Sequence, residues 1–450
     1  MIVTVLFSCF ALSLILLVYL GTRGRLYLLY AQPIYVFLLG MAFVYGIMPV
    51  LKELSGVQTY PFQYALAAKL TTLVYLIIFT GAAVLAYTLL GGFSARNFPA
   101  LRPLTRRERR RILLLIGVPA ILALAFLVYR FVGEDLALYM KDRIAARRGL
   151  GPIVVLSFCA ILYVAISLLD YLLQRRSGCR GGTARLWLIL TITAAICLLT
   201  LLLGNRNFVF NLIGILLIAM LGIFRIKVRG LFVIAPLLLT VALVFSGWAK
   251  IRMNLDDPSA SGSMNGRVSD LLVYGLNGGF GNVENLYFLV DREHAWQPLY
   301  GKTVLAALVN PVPRAIWQDK PYGGGPELRN MIAPGSYSLD GRFLTSYTTG
   351  LPAEGLMNFR SWGPLLFGLV LGAILAGLRA LYARQRLVTP LAVVFYSYSV
   401  FVFGFGLLYM ELLGGWSRYF IAGILVQSVL WLGDRRVVMR RPVVQGSLQL

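Results

Sequence analysis

The pattern of apolar and polar positions divides the chain into two kinds of territory. Runs of about 20 apolar residues, long enough to carry a helix across roughly 30 Å of hydrocarbon, recur along it. They fall near residues 2–20, 33–51, 66–90, 112–131, 152–173, 186–203, 207–224, 231–248, 364–381, 389–409 and 416–433. This predicts an all-α polytopic membrane protein with about 11 transmembrane helices. Residues 249–363 are the exception, because no run of that length occurs there. The chain therefore reads as transmembrane helices over 1–248, one large polar loop with short helices over 249–363, and transmembrane helices with a basic tail over 364–450. The first run has no basic residue before it and no small-residue cleavage site, so it reads as a retained helix.

Composition narrows the class. A chain of 450 residues with 59% hydrophobic and 13% charged residues and a mean hydropathy of +0.77 is no soluble globular domain, since such domains carry about 25% charge. The net charge of +24 would suit nucleic acid only if the basic residues shared a soluble face. Instead they crowd into alternate short loops, as in TRRERRR (105–111), Arg175 to Arg185, Arg379 to Arg386 and Arg435 to Arg441. Loops rich in arginine stay on the cytoplasmic side. That rule predicts an outside N-terminus, a cytoplasmic C-terminus and an exported 249–363 segment, with TRRERRR as a topology anchor touching anionic lipid. Cys9, Cys159 and Cys197 fall within runs and Cys179 in a basic loop, so the exported segment has no thiol to oxidise.

Arginines on the exported side have no insertion reason to be there. YMKDRIAARRGLG (139–151) places Arg143 and Arg147 on one helical face with Arg148 beside them, either as a solvated amphipathic helix or as a cationic site. The tight turn GNRN (204–207) holds Arg206 at the outer ends of two helices, where a guanidinium either snorkels or binds phosphate. In 249–363 basic and acidic residues are equal in number, so any cationic site must come from geometry. DLLVYGLNGG (270–279) and NVENLYFLV (282–290) read as amphipathic pieces lying along the membrane surface or packing over the bundle. Pro311 and Pro313 stiffen the approach to Arg314 and exclude a continuous helix. Gly323, Gly324 and Gly325 read as a mobile turn, either a cover for a groove or a plain connection; without strand or spacing they are no phosphate loop.

YGKTVLAALVNPVPRAIWQDKP (300–321), the hydroxyl-rich TSYTTG (345–350) and EGLMNF (354–359) before a membrane helix together resemble the oligosaccharide repeat-unit polymerases, the Wzy-type O-antigen polymerases. GNRN is similar to the arginine-containing turn these proteins carry between mid-chain spans. The chain departs from them at Arg360, where the family often has glycine. The resemblance implies a glycosyltransferase in the bacterial cytoplasmic (inner) membrane that moves a growing glycan from a polyprenyl diphosphate carrier to a lipid-linked repeat unit. It implies no cofactor or metal, no nucleic acid, membrane lipid as surroundings and a chain-length regulator protein as a further partner. Such chemistry needs cations for the diphosphate and a base for the acceptor hydroxyl. Arg206, Arg314 and Lys320, then Arg143, Arg147 and Arg148, are candidates for the first role. Glu354 and His294 are candidates for the second, and Arg342, Asn358 and Arg360 complete the substrate loop. Alternatives stay open: Arg314 and Lys320 could pair with Asp319, Glu354 could neutralise an arginine, and His294 sits in a polar turn. An O-antigen ligase shares the chemistry, whereas a flippase would need more intramembrane charge than Lys69 and an internal repeat.

Overall fold

The computed structural model describes residues 2–55, 62–94, 99–132, 150–178, 183–203, 206–224, 280, 282–312, 314, 316–337 and 347–434. Among these, eight helical stretches are long and apolar enough to cross a membrane. They are α1 (Ile2–Thr22), α2 (Pro33–Ser55), α3 (Leu66–Leu89), α4 (Arg106–Phe131), α5 (Gly151–Arg176), α6 (Thr183–Thr200), the run Leu351–Ala383 and a later helix, Pro390–Tyr409. The span expected near 207–224 is α7 (Arg206–Phe224), whose apolar part, Phe208–Phe224, is shorter. The one expected near 231–248 lies outside the described residues.

Between the bundle halves come α8 (Val283–Asp291), α9 (Lys302–Leu308) and α10 (Gly324–Ile332). The run 351–383 is two helices, α11 (Leu351–Phe359) and α12 (Gly363–Ala383), joined by a single 3₁₀ turn over Arg360–Trp362. The chain then forms α13 (Pro390–Tyr409) and α14 (Leu412–Asp434). The last holds the span expected near 416–433, carries Arg418 in its second turn, and is not among the eight.

Helix contacts in an apolar solvent depend on close backbone approach. The α3–α12 pair is built this way: a Cβ on Gly368 would lie 2.4 Å from the Phe79 carbonyl oxygen, and one on Gly372 2.1 Å from that of Ala83. α8, expected on the membrane surface or over the bundle, is inside it, with Val283 through Leu289 all buried. Glu284 and Asn285 in that run are buried with partners, Glu284 with Lys52 at 2.6 Å and Asn285 with the Thr348 carbonyl at 2.5 Å.

The described basic loops meet at one end of the bundle. There β1 (Ala100–Leu101) pairs in parallel with β2 (Leu387–Val388), Arg379 donates to the carbonyls of Ala31 and Ser94, and Arg176 donates to Ile223 O at 3.0 Å. The opposite end holds Lys52, Glu53, Glu284, Glu354 and Glu411.

Candidate functional site

The site is assembled around α11. Glu354, one turn into that helix, is 0% exposed. Its Oε1 accepts from the Thr349 hydroxyl at 2.9 Å and from the Leu412 N–H at 2.6 Å, the first amide of α14. Its Oε2 makes no hydrogen bond among the described residues, with the Thr303 hydroxyl beside the carboxyl. Among the described residues no cation pairs with Glu354, and the carboxyl is held by a hydroxyl and a backbone amide. A buried, half-satisfied carboxyl costs several kcal/mol and persists where it is used.

A second carboxyl stands across from it. Glu411, in the link between α13 and α14, accepts from the Gly325 N–H at 2.9 Å. Burial pushes this carboxyl up, against the pull of that amide and of Arg418. The two carboxyls are near enough to repel one another. Gly323 to Gly325 pass between them: a Cβ on Gly324 would sit 2.7 Å from Glu354 Cδ, and one on Gly323 3.1 Å from Glu411 Oε2. This corrects the expectation of a mobile cover. The glycines are there for close approach, and Gly324 and Gly325 are buried at the start of α10.

Neither Glu411 nor Arg418 was among the residues expected from sequence. A signal existed, because between Arg386 and Asp434 they are the only charged residues in an otherwise apolar stretch. Arg418 lies half-buried in α14, its guanidinium 5.1 Å from the Phe158 ring centre and 3.7 Å from Met410 Sδ.

Beside Glu354 an apolar cavity of about 600 Å³ runs between α9, α11, α12 and α14. Leu308, Leu351, Phe359, Val370, Leu412 and Trp416 are among its walls. Leu412, one of the wall residues, is also the residue whose amide binds Glu354, so the buried carboxyl is tied to the backbone behind this wall. Leu308, Leu366 and Val370 are exposed on the outside of the bundle, so the groove opens toward lipid.

The segment after α9 leaves the groove wall at Leu308 and is tied to α14. α9 stops at Leu308, ahead of the two prolines, and Asn310 is tied to Ser417 of α14 at 2.6 Å. Lys320, 8% exposed, donates to the carbonyls of Asn310 and Val312, each at 3.0 Å. Burial pushes its ammonium down, and Arg314 adds to the effect. Arg314 donates to Gln318 O at 3.0 Å and lies 5.0 Å from the Tyr322 ring centre. The two cations thus share one turn, and among the described residues Asp319 pairs with neither.

The remaining expected residues divide. Asn358 is a buried clamp that donates to Thr303 Oγ1 and to Glu354 O, both at 2.7 Å, and accepts from the Gly301 N–H at 2.9 Å. His294 is in the exposed 3₁₀ turn Glu293–Ala295, and no described hydrogen bond joins it to Glu354. Arg206 opens α7, while Arg143, Arg147, Arg148 and Arg342 lie outside the described residues. Arg360 turns the chain from α11 into α12 at φ 48° and ψ −137°, a region favourable to glycine and costing other residues about 1–3 kcal/mol. Its side chain returns a half-exposed contact with Glu293 at 3.8 Å, a long hydrogen bond to Trp296 O at 3.4 Å and a place 5.7 Å from the Trp296 ring. Arg360→Gly is therefore expected to leave the stability of the purified protein unchanged or raised by about 1 kcal/mol, read from the thermal midpoint; a clear fall would assign the turn to those side-chain contacts.

On the far side of α8 lies a polar pocket of about 360 Å³ between α2, α3 and α8. Lys52 pairs with Glu284 at 2.6 Å and Lys69 with Glu53, which leaves the pocket charge-balanced. The hydroxyls of Tyr64 and Tyr287 have no hydrogen-bond partner there. No protein-family model, no curated protein and no solved structure matches the chain.

Proposed function

We propose that the protein is a membrane glycosyltransferase of the polymerase kind, acting on a glycan carried by polyprenyl diphosphate at the exported face. The observation that carries this reading is the buried Glu354, bonded to the amide of Leu412, a wall residue of an apolar groove whose edge carries the exposed Leu308, Leu366 and Val370. A soluble substrate has no use for such a groove, whereas a polyprenyl chain fits it and brings its head group to the carboxyl. In the reaction an acceptor hydroxyl attacks the anomeric carbon of the donor, the bond from that carbon to the phosphate oxygen breaks, and polyprenyl diphosphate leaves with the bonding pair. Glu354 takes the hydroxyl proton. Arg314, with Lys320 supporting its turn, and Arg206 at the start of α7 balance the diphosphate charge. Arg143, Arg147 and Arg148 belong to the same proposed set, and Arg342 to the substrate loop.

The polysaccharide profile of a strain lacking the gene tests the reading. Single repeat units on the final lipid acceptor are the expected result; long chains stranded on the carrier would indicate a ligase instead, and an unchanged profile would remove both. Sidedness has its own test in a cysteine-free background. Cysteine at the exposed Ala295 is expected to react with an impermeant thiol reagent in intact cells, and cysteine at the exposed Ser177 is not. The reverse pattern would place the groove and its carboxyl on the cytoplasmic side.

A further inference from the structure

A second cavity, of about 800 Å³, lies at the basic end, between α4, α5 and α6. Its rim carries Arg106, Arg107, Arg109, Arg110 and Arg185 against one carboxylate, Asp170. Below the rim the wall turns apolar, with Leu113, Ile166, Leu188 and Ile192. Leu113 and Leu188 are exposed, so the wall continues onto the outer surface of the bundle.

The acids that could neutralise the rim are already used. Glu108 caps α4 by accepting from the Thr105 N–H at 2.8 Å and takes a two-point contact from Arg102 at 2.6 and 2.8 Å. The helix N-terminus is thereby closed. Asp170, 0% exposed, accepts from the Leu104 N–H at 2.8 Å, from Gln174 at 2.6 Å and from Arg185 at 2.9 Å. Arg109 approaches it only to 3.6 Å, and the buried Arg109 Nε makes no hydrogen bond. Among the described residues Arg106, Arg107 and Arg110 have no carboxylate partner. Three of these arginines repel one another at i,i+3 and i,i+4 spacings along one helix turn, a cost that a bound anion removes.

From this geometry we infer that the cavity is a binding site for an anionic diacyl phospholipid, its phosphate on the arginine rim and its acyl chains along the apolar wall. Guanidinium groups match phosphate oxygens in pairs, and a basic pocket between membrane helices suits an acidic head group. A free anion would use the rim alone. A zwitterionic lipid would bring the same phosphate together with a cation that the arginine rim repels. The site extends the anchoring role of TRRERRR to a specific lipid, and it does not depend on the reaction proposed above.

The test uses the delipidated full-length protein in a mild neutral detergent, titrated in parallel with phosphatidylglycerol, phosphatidylcholine and inorganic phosphate. Binding is read by native mass spectrometry and by the thermal midpoint. Phosphatidylglycerol is expected to bind and raise the midpoint, phosphatidylcholine and phosphate to do neither. The Arg107→Gln/Arg110→Gln protein should bind phosphatidylglycerol about 10-fold or more weakly, and Leu188→Trp, which crowds the wall without touching charge, should weaken it too. Arg23→Gln/Arg25→Gln, removing two exposed arginines elsewhere at the basic end, should not. Equal binding of phosphatidylcholine, an equal effect of phosphate, or an equal loss in the Arg23/Arg25 protein would each overturn the site.

Discussion

Glu354→Gln is expected to lower turnover by about 10²-fold or more while lipid-linked substrate still binds, the usual scale for losing a general base. The substitution keeps the shape of the side chain and keeps an oxygen for the Thr349 hydroxyl and the Leu412 amide. What it removes is the capacity to take a proton at an oxygen that no described group occupies. Purified protein with lipid-linked repeat units, with binding and turnover measured separately, checks this. A carboxyl that only braces the packing of α11 on α14 predicts the opposite division: the thermal midpoint falls, and turnover per folded, substrate-bound molecule survives. His294→Ala in the same assay is expected to turn over normally, because its turn is exposed. Loss in His294→Ala with full turnover in Glu354→Gln would move the base to the histidine.

Gly363→Ala should be the most damaging single methyl in the described structure. A Cβ there would fall 1.8 Å from the Gly355 carbonyl oxygen and 2.1 Å from its carbon. Both are backbone atoms, which cannot rotate away as a side chain would, so the α11–α12 hairpin has to open. The loss is expected to exceed about 3 kcal/mol, beyond the usual range for overpacking. It should appear as a collapse of folded yield or of the thermal midpoint, and with it of Glu354 activity, since Gly355 is the next residue. Gly377→Ala is the control: nothing lies within 4 Å of its added methyl, and alanine in a helix interior is favoured over glycine by up to about 1 kcal/mol. A Gly363→Ala protein that melts like wild type would show the two helices to be further apart than described.

The carboxyl was legible in the sequence as a candidate, but its setting was not. Glu354 could be singled out because it stands in EGLMNF just before an apolar run. Its partner amide at Leu412 is 58 positions away, and no local pattern carries that distance. Glu411 and Arg418 were visible as the only charges in a long apolar stretch, and reading that stretch as two spans and a short link concealed them. The close-approach glycines illustrate the same limit. Gly368 and Gly372 have the four-residue spacing of a membrane helix contact, whereas Gly323 to Gly325 have the composition of a loose turn, and only the two carboxyls beside them reveal a tight passage.

By itself the sequence determined the membrane class, the positions of most long helices and the separation of basic loops from the segment with balanced charge. These are sums over neighbouring residues: twenty apolar side chains favour hydrocarbon whatever they touch, and prolines stop α9 near Leu308 whatever follows. Tertiary structure alone decided that α8 is buried along its length, that Glu354 is held by a hydroxyl and an amide with one oxygen left over, and that Arg314 and Lys320 share one turn. Those outcomes depend on which surfaces meet. A buried polar atom is tolerated or costly according to partners brought from distant parts of the chain, and composition and spacing do not contain that information.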